Sequence, residues 1–422
     1  MYEEKNITES VFWPFTLALA IILPVSMIDY HGLVPLAATL GILAFVKELR
    51  RGIKLSIYAI QPVLNFLGLL IIGAFSLIWS YNTSVTFDRL SHLMAVFLIG
   101  CLVLGSAHLQ ISRSVNLRTS SIAYLIGIFP CLLFVLLEAI NESPKFSISN
   151  FLDITLSLSN PTVTIMAVFT LPGCLLLWKG LGSRSAMIVF ITSCIAIFSS
   201  NSLAANLGLI VGSLVTIIII LGGKKAFAFT SLSMIFIVLF FPVARLIHDS
   251  PFSFLRKFME NTDISVPPSA LHRTYIYDFV LDKIIDNPLV GWGLGVSRHL
   301  PGSQNKILDL NRELIPLHPH NGVLEVWVEL GIIGAIGLSF VIWMMMRGIN
   351  NRIQDRISAA VLAGTSAGYM TIGLASYSIW SSWWMTTGIL AAGLCTALFA
   401  HREVPETSSL SSKKINNVIV KN

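Results

Sequence analysis

The chain has 422 residues, of which 55% are hydrophobic and only 12% charged, and its mean hydropathy is +0.77. A soluble domain carries roughly 25% charged residues, so the composition excludes an ordinary soluble enzyme and indicates an all-α polytopic membrane protein. The formal net charge of +6 comes from basic residues spread over short loops, without the dense Lys/Arg patch and interleaved aromatics of a nucleic-acid binder.

Twelve apolar runs follow one another, near residues 12–28, 32–46, 55–79, 92–111, 119–140, 161–178, 185–199, 203–222, 226–247, 321–346, 357–377 and 383–400. Each is expected to be a transmembrane helix. The first is expected to be retained, because Glu3, Glu4 and Lys5 precede it and it is long enough to span. Cys101, Cys131, Cys174, Cys194 and Cys395 all lie in these runs with no CxxC pair, so they read as small buried hydrophobes. Alternate short loops carry thirteen basic residues on one side, from Lys47 to Arg356, against Arg89 and Lys145 on the other. The positive-inside rule then places both termini in the cytoplasm. The chain divides into an N-terminal bundle of about nine spans (1–247), a large outer segment (248–320), three C-terminal spans (321–400) and a polar, disordered tail (401–422).

Five of the nine histidines fall in the outer segment: His248, His272, His299, His318 and His320. Within it, Arg273–Asp286 spaces Ile276, Phe279, Val280 and Ile284 as an amphipathic helix, expected to lie near the membrane surface. Asn287-Pro288 stops that helix. Gly291-Trp-Gly-Leu-Gly295 then makes a turn whose backbone can approach another element closely.

The segment ends in Leu317-His-Pro-His-Asn-Gly-Val-Leu-Glu-Val-Trp-Val-Glu-Leu-Gly331, where a polar loop meets an apolar helix. Polar groups at a membrane edge are expensive, so their concentration there points to chemistry. Asn321 is the expected N-cap. His320 then sits beside the electropositive end of the helix, which disfavours the imidazolium and leaves a neutral ring able to take a proton from a hydroxyl. Asn321, Glu325 and Glu329 share one helix face, and glutamates at that depth should face protein or water. The plainer alternative makes His318 and His320 interfacial loop residues and the glutamates packing residues. An HxH pair without a distinctive third ligand does not make a metal site, and none is expected. Arg245, Arg273 and Arg298 offer guanidinium forks that match phosphate oxygens; the plainer alternative is a solvated or headgroup-facing charge.

Taken together these residues resemble the O-antigen ligase and O-antigen polymerase superfamily of bacterial envelope glycosyltransferases, the ligase more closely. The resemblance rests on His318-Pro-His-Asn321 with Glu325, Glu329-Leu-Gly331 and Gly334/Gly337, on Arg273-Thr-Tyr-Ile-Tyr with Asn287-Pro-Leu-Val-Gly-Trp-Gly-Leu-Gly295, and on Ile379-Trp-Ser-Ser-Trp-Trp384. It implies a GT-C-like fold and transfer, with inversion and without metal or cofactor, of a glycan from undecaprenyl diphosphate. The acceptor would be a sugar hydroxyl of lipid A-core in a ligase, or a second lipid-linked glycan in a polymerase. It also implies an inner-membrane protein with a periplasmic site in which His320 is the general base and Arg273 holds the diphosphate. His318, Asn321, Glu325, Arg245 and Arg298 are the accompanying substrate-binding candidates. One departure stands out: many members carry a second arginine at the outer edge of a span, and here the corresponding stretch is Ser199-Ser-Asn-Ser-Leu-Ala-Ala-Asn206. Asn201, Asn206 or Arg245 would have to stand in for it. The alternative of another class, a polysaccharide flippase or transporter, calls for ionisable residues deep in several spans; here they gather at one loop and one helix start.

Overall fold

The computed structural model describes residues 13–50, 57–109, 116–140, 146–148, 154–156, 160–200, 202–247, 251–261, 268–307 and 311–400. The expectations for residues 1–10, His248 and the tail 401–422 concern residues outside these. The described chain is almost wholly helical: α1 (Trp13–Ile28), α2 (Leu33–Arg50), α3 (Ile57–Phe75), α4 (Thr83–Leu109), α5 (Leu117–Ile140), α6 (Asn160–Leu181), α7 (Ser183–Ser199), α8 (Leu203–Phe240), α9 (Ala244–Ile247), α10 (Ser253–Asn261), α11 (Pro268–Asp286), α12 (Gly322–Arg352), α13 (Arg356–Ala375) and α14 (Ser382–Phe399). Two short antiparallel pairs complete it, β1 (Phe146–Ile148) with β2 (Ile154–Leu156) and β3 (Lys306–Ile307) with β4 (Arg312–Glu313).

Among the described residues eight helices are long and apolar enough to cross a membrane, and α1, α3 and α7 hold shorter apolar stretches. Large apolar side chains such as Phe129, Leu214, Leu221 and Phe229 face outward, as lipid contact allows and water would not. The protein is an all-α polytopic membrane protein. Where they are described, the twelve apolar runs lie mainly on helix, but two of them are the arms of α8, which meet at Gly223 in a left-handed conformation (φ 62°). The arms double back. The first packs Gly208 and Gly212 on Gly368 and Gly364 of α13, so closely that a Cβ on Gly364 would lie 2.4 Å from Gly212 O. It ends where Arg356 reaches Ile219 O. The second returns until Val238 O accepts a hydrogen bond from Trp327 Nε1 at 2.7 Å.

A second break shapes α12. Gly331 has φ 61°, and beyond it a Cβ on Gly334 would sit 3.1 Å from Val326 Cγ1 and 2.3 Å from Leu330 Cβ. Residues eight apart in a straight helix are separated by about 12 Å along the axis. The chain therefore turns sharply, leaving a short arm, 322–330, folded against the long arm, 332–352. At the far end of the long arm Arg352 contacts His108 (3.1 Å) and Lys179 pairs with Asp355 (3.0 Å), so basic groups collect opposite the His318–Asn321 end.

The described part of the segment 248–320 departs from one expectation. α11 starts at Pro268, a favourable first-turn residue, and its apolar face of Ile276, Val280, Leu281 and Ile284 is buried within the protein rather than laid on lipid. α10 is fixed to it by Arg256, which bonds Asp278 at 2.9 Å and stacks on Tyr275 at 4.1 Å.

The sharp turn requires glycine at 331. A Cβ there would lie 2.4 Å from Leu289 backbone atoms, in addition to the left-handed strain. Gly331→Ala is expected to destabilise by more than about 2 kcal/mol, seen as a lower Tm in detergent. Gly348→Ala, in the same helix with open space around it, should be neutral or slightly stabilising. Equal Tm values for the two variants would contradict the stitched-turn description.

Candidate functional site

The break at Gly331 leaves the last carbonyls of the short arm without helical N–H donors, and the first N–H groups of the long arm without helical acceptors. The turn after α11 serves both. Trp292 N–H donates to Val328 O (2.9 Å) and Gly293 N–H to Glu329 O (2.8 Å), while Ile332 and Ile333 N–H donate to Pro288 O (2.9 Å) and Leu289 O (3.4 Å). Such close approach needs Gly291, where a Cβ would lie 2.4 Å from the Glu329 carbonyl carbon, and the turn takes positive φ at Gly291, Gly293 and Gly295.

The two glutamates of the short arm are fully used in this construction. Glu329 accepts from Gly295 N–H (2.7 Å), Ser297 N–H (3.4 Å) and Trp380 Nε1 (2.7 Å). Glu325, expected at the substrate, instead accepts from Ser378 Oγ (2.7 Å) and Ile379 N–H (2.8 Å). Together they fasten the glycine turn and the α13–α14 loop to one helical arm. Arg89 of α4, packed on Gly295, places its positive charge within electrostatic reach of both carboxylates.

Asn321 is the N-cap, its Oδ1 accepting from Val323 and Leu324 N–H at 3.0 Å each. It is buried and turned to the helix, so it too is occupied. His320, just before it, holds a left-handed backbone (φ 56°), uncommon for a non-glycine residue and frequent at functional sites. Three contacts enforce it. His320 N–H donates to His318 Nδ1 (3.0 Å), Tyr277 Oη donates to His320 O (3.2 Å), and His320 Nδ1 lies 2.8 Å from Ser376 O in the loop that Glu325 fastens. A carbonyl can only accept, so Nδ1 carries the proton and a neutral ring presents Nε2 as a bare acceptor. Burial first, then Arg273 and His272, push the His320 pKa below its usual value, against the opposing bond to Ser376 O. Burial is thus the first cause of the shift toward the neutral ring expected from the sequence. His318 accepts through Nδ1, and burial, then His320, Arg273 and Arg89, push its pKa down to about 3. Its place is beneath the His320 backbone rather than in the cavity.

That cavity, of about 410 Å³, is lined by Ser269, His272, Arg273, Arg312, Glu313, Pro316 and His320. Arg273 and His320 meet here, and both touch Ser376: Arg273 Nη2 is 3.4 Å from its Oγ. The other cationic candidates do not join them. Arg245 is bonded to Asp282 at 2.5 Å, and Arg298 is exposed away from the cavity. Asn201 lies outside the described residues, and the buried Asn206 Oδ1 has no partner among them. Arg312 and Ser376 were not legible in the sequence, because strand pairing and loop docking bring them in from positions without a motif, and Tyr277, the last residue of the Arg273-Thr-Tyr-Ile-Tyr stretch, had no role assigned to it.

Comparison with known proteins agrees with this architecture. Residues 187–339, from α7 to the long arm of α12, match the sequence model of the O-antigen ligase family. The chain is 32% identical over 214 residues to a putative polysaccharide ligase of Rickettsia conorii, covering 49% of each chain. It is 32% identical over 208 residues to one of Rickettsia typhi (49% of this chain, 50% of that one) and 30% identical over 228 residues to one of Rickettsia prowazekii (53% and 55%). The match spans about half the length of these relatives. The fold and site are those of a multi-pass membrane protein with a polar cavity at one end of its bundle. Over residues 187–339 the chain is similar to the O-antigen ligase family.

The low pKa of His318 has a measurable consequence. Between the ordinary value of about 6.5 and about 3, the unfolded chain takes up a proton that the folded chain refuses. Stability from this residue is therefore complete above pH 6.5 and drains away as pH falls. Thermal unfolding from pH 7.5 to pH 4 should show a steeper loss for wild type than for His318→Ala, which starts about 1 kcal/mol less stable from the missing hydrogen bond. Parallel curves would mean His318 is not held neutral.

Proposed function

We propose that the protein transfers a glycan from undecaprenyl diphosphate to a sugar hydroxyl of lipid A-core. The observation that carries this reading is the convergence of His320 and Arg273 on one cavity, with His320 Nδ1 tied to Ser376 O and Nε2 left as the proton acceptor. The acceptor hydroxyl oxygen attacks the anomeric carbon, its proton passes to Nε2, and the bond from that carbon to the diphosphate oxygen breaks with inversion. Undecaprenyl diphosphate leaves, its charge met by Arg273. The rickettsial relatives are named putative polysaccharide ligases, which favours lipid A-core over a second lipid-linked glycan as acceptor. The collection of Arg352, Lys179 and Arg356 at the opposite end of the bundle favours a cytoplasmic position for that end. The cavity is then periplasmic, in an inner membrane whose hydrocarbon can hold the polyprenyl tail.

Full-length protein in detergent, given lipid-linked glycan and lipid A-core, should form the ligated product. His320→Ala should lower the rate about 10²- to 10⁴-fold. Because the base must be neutral and its pKa is lowered, the wild-type rate should fall on acidification only at a lower pH than a histidine of ordinary pKa would set. Ligation that persists in His320→Ala would remove the proposed base. Product formed on a second lipid-linked glycan, with lipid A-core inert, would make the enzyme a polymerase instead.

A further inference from the structure

The surroundings of Arg245, Arg256, Arg273 and Arg312 separate them into two kinds, while Arg298 is exposed away from the cavity. Arg245 and Arg256 are neutralised by Asp282 and Asp278. Arg273 and Arg312 make no ion pair among the described residues, and both line the same cavity. Guanidinium groups gathered at a cavity without carboxylates to pair them are suited to a ligand with several anionic oxygens.

Arg312 is held there by construction. It opens β4, which pairs with β3, and the strands are tied down where Leu314 N–H donates to Asn305 O (2.9 Å) and Ile315 N–H to Ser303 O (2.7 Å). Ile315 is fully buried beneath them. His272 Nε2 then lies 2.8 Å from Glu313 O, a bond in which the carbonyl must accept. His272 adjoins Arg273 and Glu313 adjoins Arg312, so one hydrogen bond brings the two arginine-bearing backbones to the same wall. Glu313 also lines the cavity, but it forms no ion pair with either guanidinium among the described residues.

We propose that Arg312 is the second cation of a diphosphate-binding site, acting with Arg273, and that it supplies the charge for which residues 199–206 offer no arginine. The identity of the diphosphate as that of a polyprenyl-linked donor rests on the transferase reading above; the anion site itself does not. Two forks can hold the oxygens of both phosphate groups, and they would meet the additional charge that develops as the leaving group departs.

The test titrates inorganic pyrophosphate into the full-length protein in phosphatidylcholine nanodiscs. Arg312→Ala should weaken binding about tenfold to a hundredfold, Arg312→Lys should weaken it less, and Lys306→Ala, removing an exposed charge of the same hairpin, should leave it unchanged. Wild-type affinity in Arg312→Ala would overturn the proposal. So would equal affinity for inorganic phosphate, which would mark a monophosphate site, or loss of pyrophosphate binding on changing the lipid to phosphatidylglycerol, which would mark a headgroup site. Binding that depends on Arg312 in a protein showing no glycan transfer would sink the transferase reading while leaving this site intact. Transfer that depends on His320 but not on Arg312, with pyrophosphate binding unaltered, would do the reverse.

Discussion

The site depends on a helix that is broken and then mended from outside. At Gly331 the backbone leaves helical geometry, stranding hydrogen-bonding groups that neither lipid nor a packed interior can satisfy. The turn 288–293 supplies donors to one side of the break and acceptors to the other. A chain that must patch both sides of a break has little freedom of register. The repair therefore fixes the height and direction of the arm 322–330, and with it Asn321 and His320.

From that arm order passes outward through Glu325 and Glu329. Buried carboxylates are tolerated when donors surround them, and five surround these: Ser378 Oγ, the N–H groups of Ile379, Gly295 and Ser297, and Trp380 Nε1. Three of the donors lie on the α13–α14 loop, one at the end of the glycine turn and one just after it. Ser376 belongs to the first of these, and its carbonyl selects the His320 tautomer. Glu325 thus bears on His320 through two residues of loop backbone, without touching the cavity. A side chain can govern a reactive atom in this way while remaining invisible to any search for residues facing a ligand.

Much of this was legible in the sequence where local chemistry dictates it. Asn321 is an N-cap because its short side chain reaches the N–H groups two and three residues on, and the glycines at 291–295 announce a close backbone approach. That His320 rather than His318 lines the cavity accords with the sequence reading, and burial is the first cause of its lowered pKa. What was not legible depends on tertiary pairing. Gly331 sits in an apolar stretch that reads as uninterrupted helix, since one glycine lowers propensity without declaring a reversal. Arg245 looks as available as Arg273 until Asp282, thirty-seven positions away, is seen to claim it. The apolar stripe of α11 is real, but periodicity alone does not distinguish a lipid surface from a protein surface as its cover.

The distribution of charge follows from the setting. A cavity that took an anionic ligand at a membrane edge would need cations that are not already satisfied, yet unsatisfied charge deep in a bundle is expensive. Here the deep positions hold carboxylates saturated by backbone and indole donors, with Arg89 nearby, whereas the unpaired guanidiniums sit in half-buried or exposed places where water stabilises them until a ligand arrives. Between the two layers lies a histidine kept neutral by partial burial and by the adjacent arginine. The same positive charge that would draw an anion into the cavity therefore also keeps the imidazole in the form that can accept a proton.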